Sequence, residues 1–193
     1  CNSHPRVNIL SPGPGVGGPC LPKDPYLLLN PQNSPQIKSD MISNARKIND
    51  SMPFHVLEMI EKSLKRNNKK MANSTITILG VTYKANVSDT RYSPAEKIIE
   101  KLLKNKCKVV VNDPKTEEVF KGQKESDLWK SIIKSDMILI LTEHEEFRNL
   151  DLNKIKKVMN ENPILIDTRR MFKKEIAQKL GFEYISIGYK PQN

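Results

Sequence analysis

The sequence has no run approaching the ~18–20 consecutive apolar residues that a membrane span requires, and its start lacks a basic-then-apolar leader pattern. The first residue is Cys1 rather than Met, so the chain is expected to be a processed or trimmed one. Its three cysteines contain no C-x-x-C pair, which points to a reducing compartment, the cytoplasm, rather than to a disulfide framework. His4, His55 and His144 are too scattered for metal-ligand spacing. No aromatic-interleaved basic motif accompanies the lysines, although the formal net charge is +10. That charge fits solvated helix faces (Lys62, Lys65, Lys69, Lys70), a phosphorylated small molecule, or an acidic segment elsewhere better than nucleic acid.

What is present falls into two parts. Residues 1–23 form a Pro/Gly-rich loop with no sustained period. Asp24-Pro25 reads as an N-cap followed by proline at the first helical position. After a break at "NPQNSP", Ile37, Met41, Ala45 and Ile48 recur at helical spacing. A second helix is expected from Pro53, with Val56, Leu57, Ile60 and Leu64 as its apolar stripe. The charged run 65–70 marks a boundary, dividing the chain at 1–70 and 71–193.

Beyond residue 74 come short β-rich runs: "TITILGV", "KVVVND", "DMILILT", "PILID" and "EYISIG". Amphipathic stretches around 94–105, 126–134, 151–160 and 172–180 separate them. Alternation of this kind predicts a doubly wound α/β domain with a parallel sheet and right-handed crossovers. Such folds bind ligands beyond the carboxyl ends of their strands. The first strand exits into "LGVTYKANVSDTRYSPAE". There Ser93-Pro94-Ala95-Glu96 has the capping-box spacing, with Lys84 and Arg91 on the loop feeding it. An anion site and a plain structural cap fit these residues equally. With Gly80 alone in the turn, a mononucleotide or nucleotide-sugar suits it better than a dinucleotide.

The stretch "SPGPGVGGPCLPKDPY" imitates G-x-G-x-x-G through Gly13, Gly15 and Gly18. Pro19 and Pro22 keep the chain extended until Asp24, so the dinucleotide reading is weak. The glycines instead suggest close backbone approach to a ligand. Cys20 precedes a helix and neighbours Lys23, a setting that favours the nucleophilic thiolate. A small buried cysteine is the alternative, and it is the reading given to Cys107.

Together "GPGVGGPCLPKDPY", "NARKINDSMPFHV", "LGVTYKANVSDTRYSPA" and "IDTRR" resemble the UDP-glucose/GDP-mannose dehydrogenase family, in the family's order. The start looks most like the branch acting on UDP-N-acetyl-D-mannosamine, with Pro19 where that branch often carries histidine. The resemblance implies a Rossmann-like C-terminal domain behind a helical dimerisation region. It also implies two successive hydride transfers to NAD from C6 of a UDP-sugar. In that scheme Cys20 is the nucleophile, and Asp24 assists thioester hydrolysis. Gly15 and Gly17 hug the sugar diphosphate, Tyr83, Lys84 and Arg169 contact the nucleotide sugar, and Lys23 and Arg91 border the cofactor. Arg6 matches an arginine that reaches the neighbouring subunit's substrate, while Arg46 and Asn49 are structural. Family members also carry an N-terminal NAD-binding domain of roughly 200 residues. None precedes Cys1, so the chain is expected to be an inactive fragment forming a homodimer through its central helices. UDP-glucose or UDP-N-acetylglucosamine dehydrogenase, and a non-catalytic binding or dimerisation module, are the alternatives.

Overall fold

The computed structural model describes residues 3–6, 9–29 and 40–188. Ile37 and the "NPQNSP" break lie outside them. Helix α1 spans Asp24–Leu28 and α2 spans Asp40–Arg66. Then follow β1 (Thr75–Leu79), α3 (Pro94–Lys104), β2 (Lys108–Asn112), β3 (Gln123–Lys124) and α4 (Leu128–Ile132). The chain continues through β4 (Met137–Ile140), α5 (Glu145–Arg148), α6 (Leu152–Val158), β5 (Ile164–Asp167), α7 (Lys174–Lys179) and β6 (Glu183–Ser186).

The six strands form one parallel sheet in the order β3-β2-β1-β4-β5-β6. This is the doubly wound order with its switch point between β1 and β4. Side-chain alternation divides the core between the two faces. Met137, Leu139, Ile164 and Ile166 pack with α2 and α3, whereas Ile138, Ile140 and Leu165 join Phe147, Ile155 and Ala177 on the other side. Strand β3 is polar and short, pairing only through Gln123 and Lys124, so its sequence gives no period-2 signal.

Three local expectations are corrected. Residues 40–66 form one helix rather than two, with Pro53 inside it. An interior proline costs roughly 3 kcal/mol. Val56, Leu57, Ile60 and Leu64 lie buried beyond it, and at ~1.5–3 kcal/mol per side chain their burial outweighs that cost. The N-cap of α1 is Lys23, not Asp24, and Pro25 follows inside the first turn. Both Lys23 and Asp24 donate their N–H groups to the Cys20 carbonyl (3.0 and 2.8 Å), which already draws Asp24 into helical geometry. Ser93 does cap α3, but its Oγ accepts from Ala95 N–H (3.2 Å) while Glu96 N–H reaches the Ser93 carbonyl (3.3 Å).

No helix among the described residues is long and apolar enough to cross a membrane. The second half of α2 belongs to the sheet's core. Its first half leaves Met41 (82%) and Ile48 (64%) exposed.

Candidate active site

The carboxyl ends of β1, β2 and β4 meet at a dense polar network. Asp113, just past β2, accepts N–H bonds from Val81 (2.6 Å), Thr82 (3.2 Å) and Lys115 (2.8 Å). His144 Nε2 lies 3.1 Å from its Oδ2 and 3.1 Å from Thr82 Oγ1. Thr142 Oγ1 donates to the Thr82 carbonyl (2.6 Å). Burial pushes the Asp113 pKa up, but the bonds from His144 and the Val81 and Lys115 amides outweigh that and hold it below the ordinary carboxylate value. The chain between β1 and α3 is thus clamped, with Lys84 exposed and Tyr83 half-buried.

The glycine stretch lies across this clamped segment. Gly18 N–H donates to the Arg91 carbonyl (2.8 Å), and Val16 N–H donates to Asn49 Oδ1 on α2 (2.9 Å). A Cβ on Gly17 would stand 2.7 Å from Tyr83 Cβ and 2.7 Å from the Tyr92 carbonyl oxygen. A Cβ on Gly18, whose φ is +85°, would meet the Tyr83 ring at 2.8 Å. Gly15 rests against Pro94, Pro53 and the Asn49 carbonyl that Pro53 leaves without a helical donor. The small residues are therefore required for protein-on-protein approach: the loop itself is packed onto the α/β domain.

Cys20 emerges from this docked loop as an exposed free thiol. Arg91 is exposed and pairs with Asp89 (2.6 Å). That carboxylate raises the arginine's pKa further, with smaller electrostatic contributions from Tyr83 and Cys20. The Gly18 bond to the Arg91 carbonyl and the packing of Gly17 and Gly18 on Tyr83 keep the chain leading to Cys20 beside both residues. Lys23 and Asp24 are exposed and 3.9 Å apart, a separation at which a surface pair adds little stability. Tyr26 fastens α1 to α2 by donating its hydroxyl hydrogen bond to Asp50 (2.9 Å), which also accepts from Arg46 Nη2 (2.6 Å). The Arg46 guanidinium lies 5.8 Å from the Tyr26 ring centre. Between loop, α2 and α3 is a cavity of about 140 Å³ lined by Gly15, Val16, Arg46, Asn49, Ser93 and Lys97. A wider opening of about 560 Å³ beside it includes Lys23, Tyr26, Asp50 and Tyr92.

Arg169, past β5, is largely buried. Its Nε–H donates to the Leu141 carbonyl (2.9 Å), and the Glu143 carboxylate lies 2.9 Å away. Burial lowers its pKa, and Glu143 pulls the other way. Its guanidinium sits against Gly13, where a Cβ would fall 2.4 Å from Nη1. Asp167 shapes the turn that presents it, accepting from Arg169 N–H (3.1 Å) and Phe172 N–H (2.9 Å). Arg6 is exposed and donates its backbone N–H to His4 Nδ1 (3.2 Å), and no described contact carries it to Cys20. The structure thus gathers Gly15, Gly17, Cys20, Tyr83 and Arg91, links Arg169 to the loop through Gly13, and keeps Lys23, Asp24 and Lys84 exposed.

Comparison with known proteins now bears on this geometry. Residues 77–174 match the model of the UDP-glucose/GDP-mannose dehydrogenase family, UDP binding domain, and residues 1–51 match the same family's central domain. The chain belongs to the UDP-glucose/GDP-mannose dehydrogenase family. A UDP-N-acetyl-D-mannosamine dehydrogenase of Methanocaldococcus jannaschii is 39% identical over 189 residues, covering 97% of this chain and 42% of the relative. The solved UDP-D-ManNAc dehydrogenase of Pyrococcus horikoshii superposes with a TM-score of 0.82 at 38% identity, over 97% of this chain and 42% of that one. An NDP-N-acetyl-D-galactosaminuronic acid dehydrogenase from Methanosarcina mazei gives 0.84 at 31% identity, over 93% and 40%. The chain therefore spans about 42% of the length of the curated relatives it matches.

Family membership raises the question of a nicotinamide cofactor. In a dinucleotide fold the β1 turn offers its amides to a pyrophosphate. Here the Val81 and Thr82 amides already bond to Asp113, and a Cβ on Gly80 would meet Thr142 at 2.6 Å. This turn does not fit NAD's pyrophosphate. Sequence reasoning missed Asp113, Thr142 and Glu143 altogether and weighed His144 only as a metal ligand. Each lies just past a strand's carboxyl end, and that position is the signal that would have found them.

Proposed function

We propose that this chain is the central and UDP-sugar-binding part of an NAD-dependent dehydrogenase that oxidises C6 of UDP-N-acetyl-D-mannosamine to the carboxylate. The observation that carries the reading is the docking of the Cys20 loop onto the Tyr83–Arg91 segment, which sets an exposed thiol beside the carboxyl edge of the sheet. The relatives' names support the choice of sugar. Tyr83, Lys84 and Arg169 bind the nucleotide, and Gly15 and Gly17 serve the sugar diphosphate indirectly, by letting the loop dock onto Pro94, Tyr83 and Tyr92. Lys23 and Arg91 would border NAD, which when bound would supply the hydride acceptor for each of the two oxidations. The Cys20 thiolate adds to the C6 aldehyde to give a thiohemiacetal. Loss of hydride leaves a thioester, and water, positioned by Asp24, cleaves it to carboxylate and free thiol. The exposed apolar side chains of α1 and α2, among them Leu27, Met41, Ile48 and Phe54, support a homodimer formed through these helices. Arg6 extends toward the second subunit's substrate.

The test is protection of the thiol. UDP-N-acetyl-D-mannosamine should slow alkylation of Cys20 by iodoacetamide, read by peptide mass spectrometry, and should leave Cys107, which is buried, unlabelled throughout. An alkylation rate unchanged at saturating UDP-sugar would remove Cys20 from the sugar site.

A further inference from the structure

His144 has no part in the chemistry above, yet it is fully buried and its ring makes three hydrogen-bonding contacts across the switch point, to Asn86, Thr82 and Asp113. It occupies the N-cap position of α5 without capping it. Its ring instead turns toward the β1 exit, where Nδ1 accepts the Asn86 N–H (3.0 Å). In return Asn86 Oδ1 accepts the Glu145 N–H (3.1 Å), doing the capping that His144 does not. Asn86 holds a left-handed φ of +59°, a conformation its short amide tolerates. Phe147 packs edge-on against the imidazole at 5.6 Å.

These bonds fix the tautomer. A backbone N–H can only donate, so Nδ1 is unprotonated and the ring's hydrogen is on Nε2. Thr82 Oγ1 spends its own hydrogen on the Lys84 carbonyl (3.0 Å). It can therefore only accept from Nε2–H, sharing that hydrogen with Asp113. The backbone is held just after Lys84, at its own carbonyl and at the Asn86 amide. Tyr83 N–H is held too, by the Asp89 carbonyl (3.0 Å). A segment with so many fixed backbone groups is a rigid mount for one exposed lysine and one half-buried tyrosine.

We propose that His144 is a positioning residue for nucleotide binding, holding Lys84 through the Asn86 amide and Thr82. This rests on the reading of Lys84 and Tyr83 as UDP contacts. Asn and Gln substitutions separate the ring's two bonds. The Asn amide oxygen stands where Nδ1 stands and keeps the Asn86 bond. The Gln amide nitrogen stands where Nε2 stands and keeps the Asp113 bond.

The experiment is UDP titration calorimetry on the 193-residue chain, with thermal melting beside it. His144→Gln and His144→Phe should weaken UDP about tenfold, the equivalent of one lost buried bond. His144→Asn should stay within about threefold of the parent. In a Lys84→Ala background His144→Gln should weaken UDP no further, because a mount without its lysine has nothing to aim. Equal UDP affinity across the three variants, affinities that follow melting temperature rather than the Asn86 bond, or an undiminished loss on Lys84→Ala would overturn the positioning role. If the Phe variant fails to fold, the Gln and Asn pair decides. A parent chain that binds no UDP would overturn the nucleotide-sugar reading, and this proposal with it, an outcome distinct from equal binding by all variants.

Discussion

Substituting alanine for Gly17 tests whether loop docking makes the site. The added Cβ would lie 2.7 Å from two atoms that cannot step aside, the Tyr83 Cβ and the Tyr92 carbonyl oxygen. Ordinary contact needs about 3.4 Å, so the loop must retreat by roughly 0.7 Å. The adjoining Gly18 N–H to Arg91 carbonyl bond, now 2.8 Å, would stretch to the outer limit of a hydrogen bond. Losing it and leaving a buried N–H unpaired costs about 2 kcal/mol, equivalent to a roughly 30-fold fall in the docked population. Gly18→Ala adds the strain of φ +85°, on the order of another 1 kcal/mol. The loop contributes no residue to the described hydrophobic clusters, so global melting should move little. Iodoacetamide labelling of Cys20 with and without UDP-sugar, and UDP calorimetry, read the docked state directly. Wild-type UDP affinity and wild-type protection of Cys20 in Gly17→Ala would refute the reasoning.

Acid should unfold the domain through its paired carboxylates. Asp113 and Asp136 are held below the ordinary value, Asp136 because bonds from Thr75, Asn160 and Lys69 outweigh its burial. Their stabilisation is present above an unfolded pKa of about 3.9 and is lost as the pH falls through the lower folded values. Asp167, pushed up mainly by burial, has the opposite sign: its contribution is full below that unfolded pKa and disappears as the pH rises through the folded one. Asp113→Asn should therefore flatten the acid limb of a melting-temperature-against-pH curve, and an unchanged limb would exclude Asp113 as its source. Ile60→Ala, at a fully buried site where α2 meets the sheet, should cost about 2–5 kcal/mol in urea unfolding. Ile48→Ala, on the exposed half of the same helix, should stay within about 0.5 kcal/mol in the monomer but weaken self-association in sedimentation velocity. A self-association constant identical to the parent's would count against pairing through α2.

The alternation of β-rich runs with amphipathic stretches was enough for the doubly wound sheet, because period 2 and period 3.6 are written in neighbouring residues. The stripe Val56–Leu64 was legible for the same reason, as was Ser93 as a cap. Pro53 misled, since local steric rules predict a break there. The helix runs through it because the burial that offsets the cost comes from β-strands distant in sequence. The glycine stretch signalled close approach, yet the nearest partners are Tyr83, Tyr92 and Arg169, the last more than a hundred residues away. Nothing in its spacing names those partners. Asp113 lies on the β2 exit and Thr142 and His144 on the β4 exit, and only the parallel order β2-β1-β4 brings them around one loop. The sequence by itself determined most of the elements, the sheet class and the family of this chain, since these follow from short-range pattern and motif. The tertiary structure alone decided which side chains share a site and which amides are already taken, because hydrogen-bond satisfaction depends on neighbours that only folding supplies.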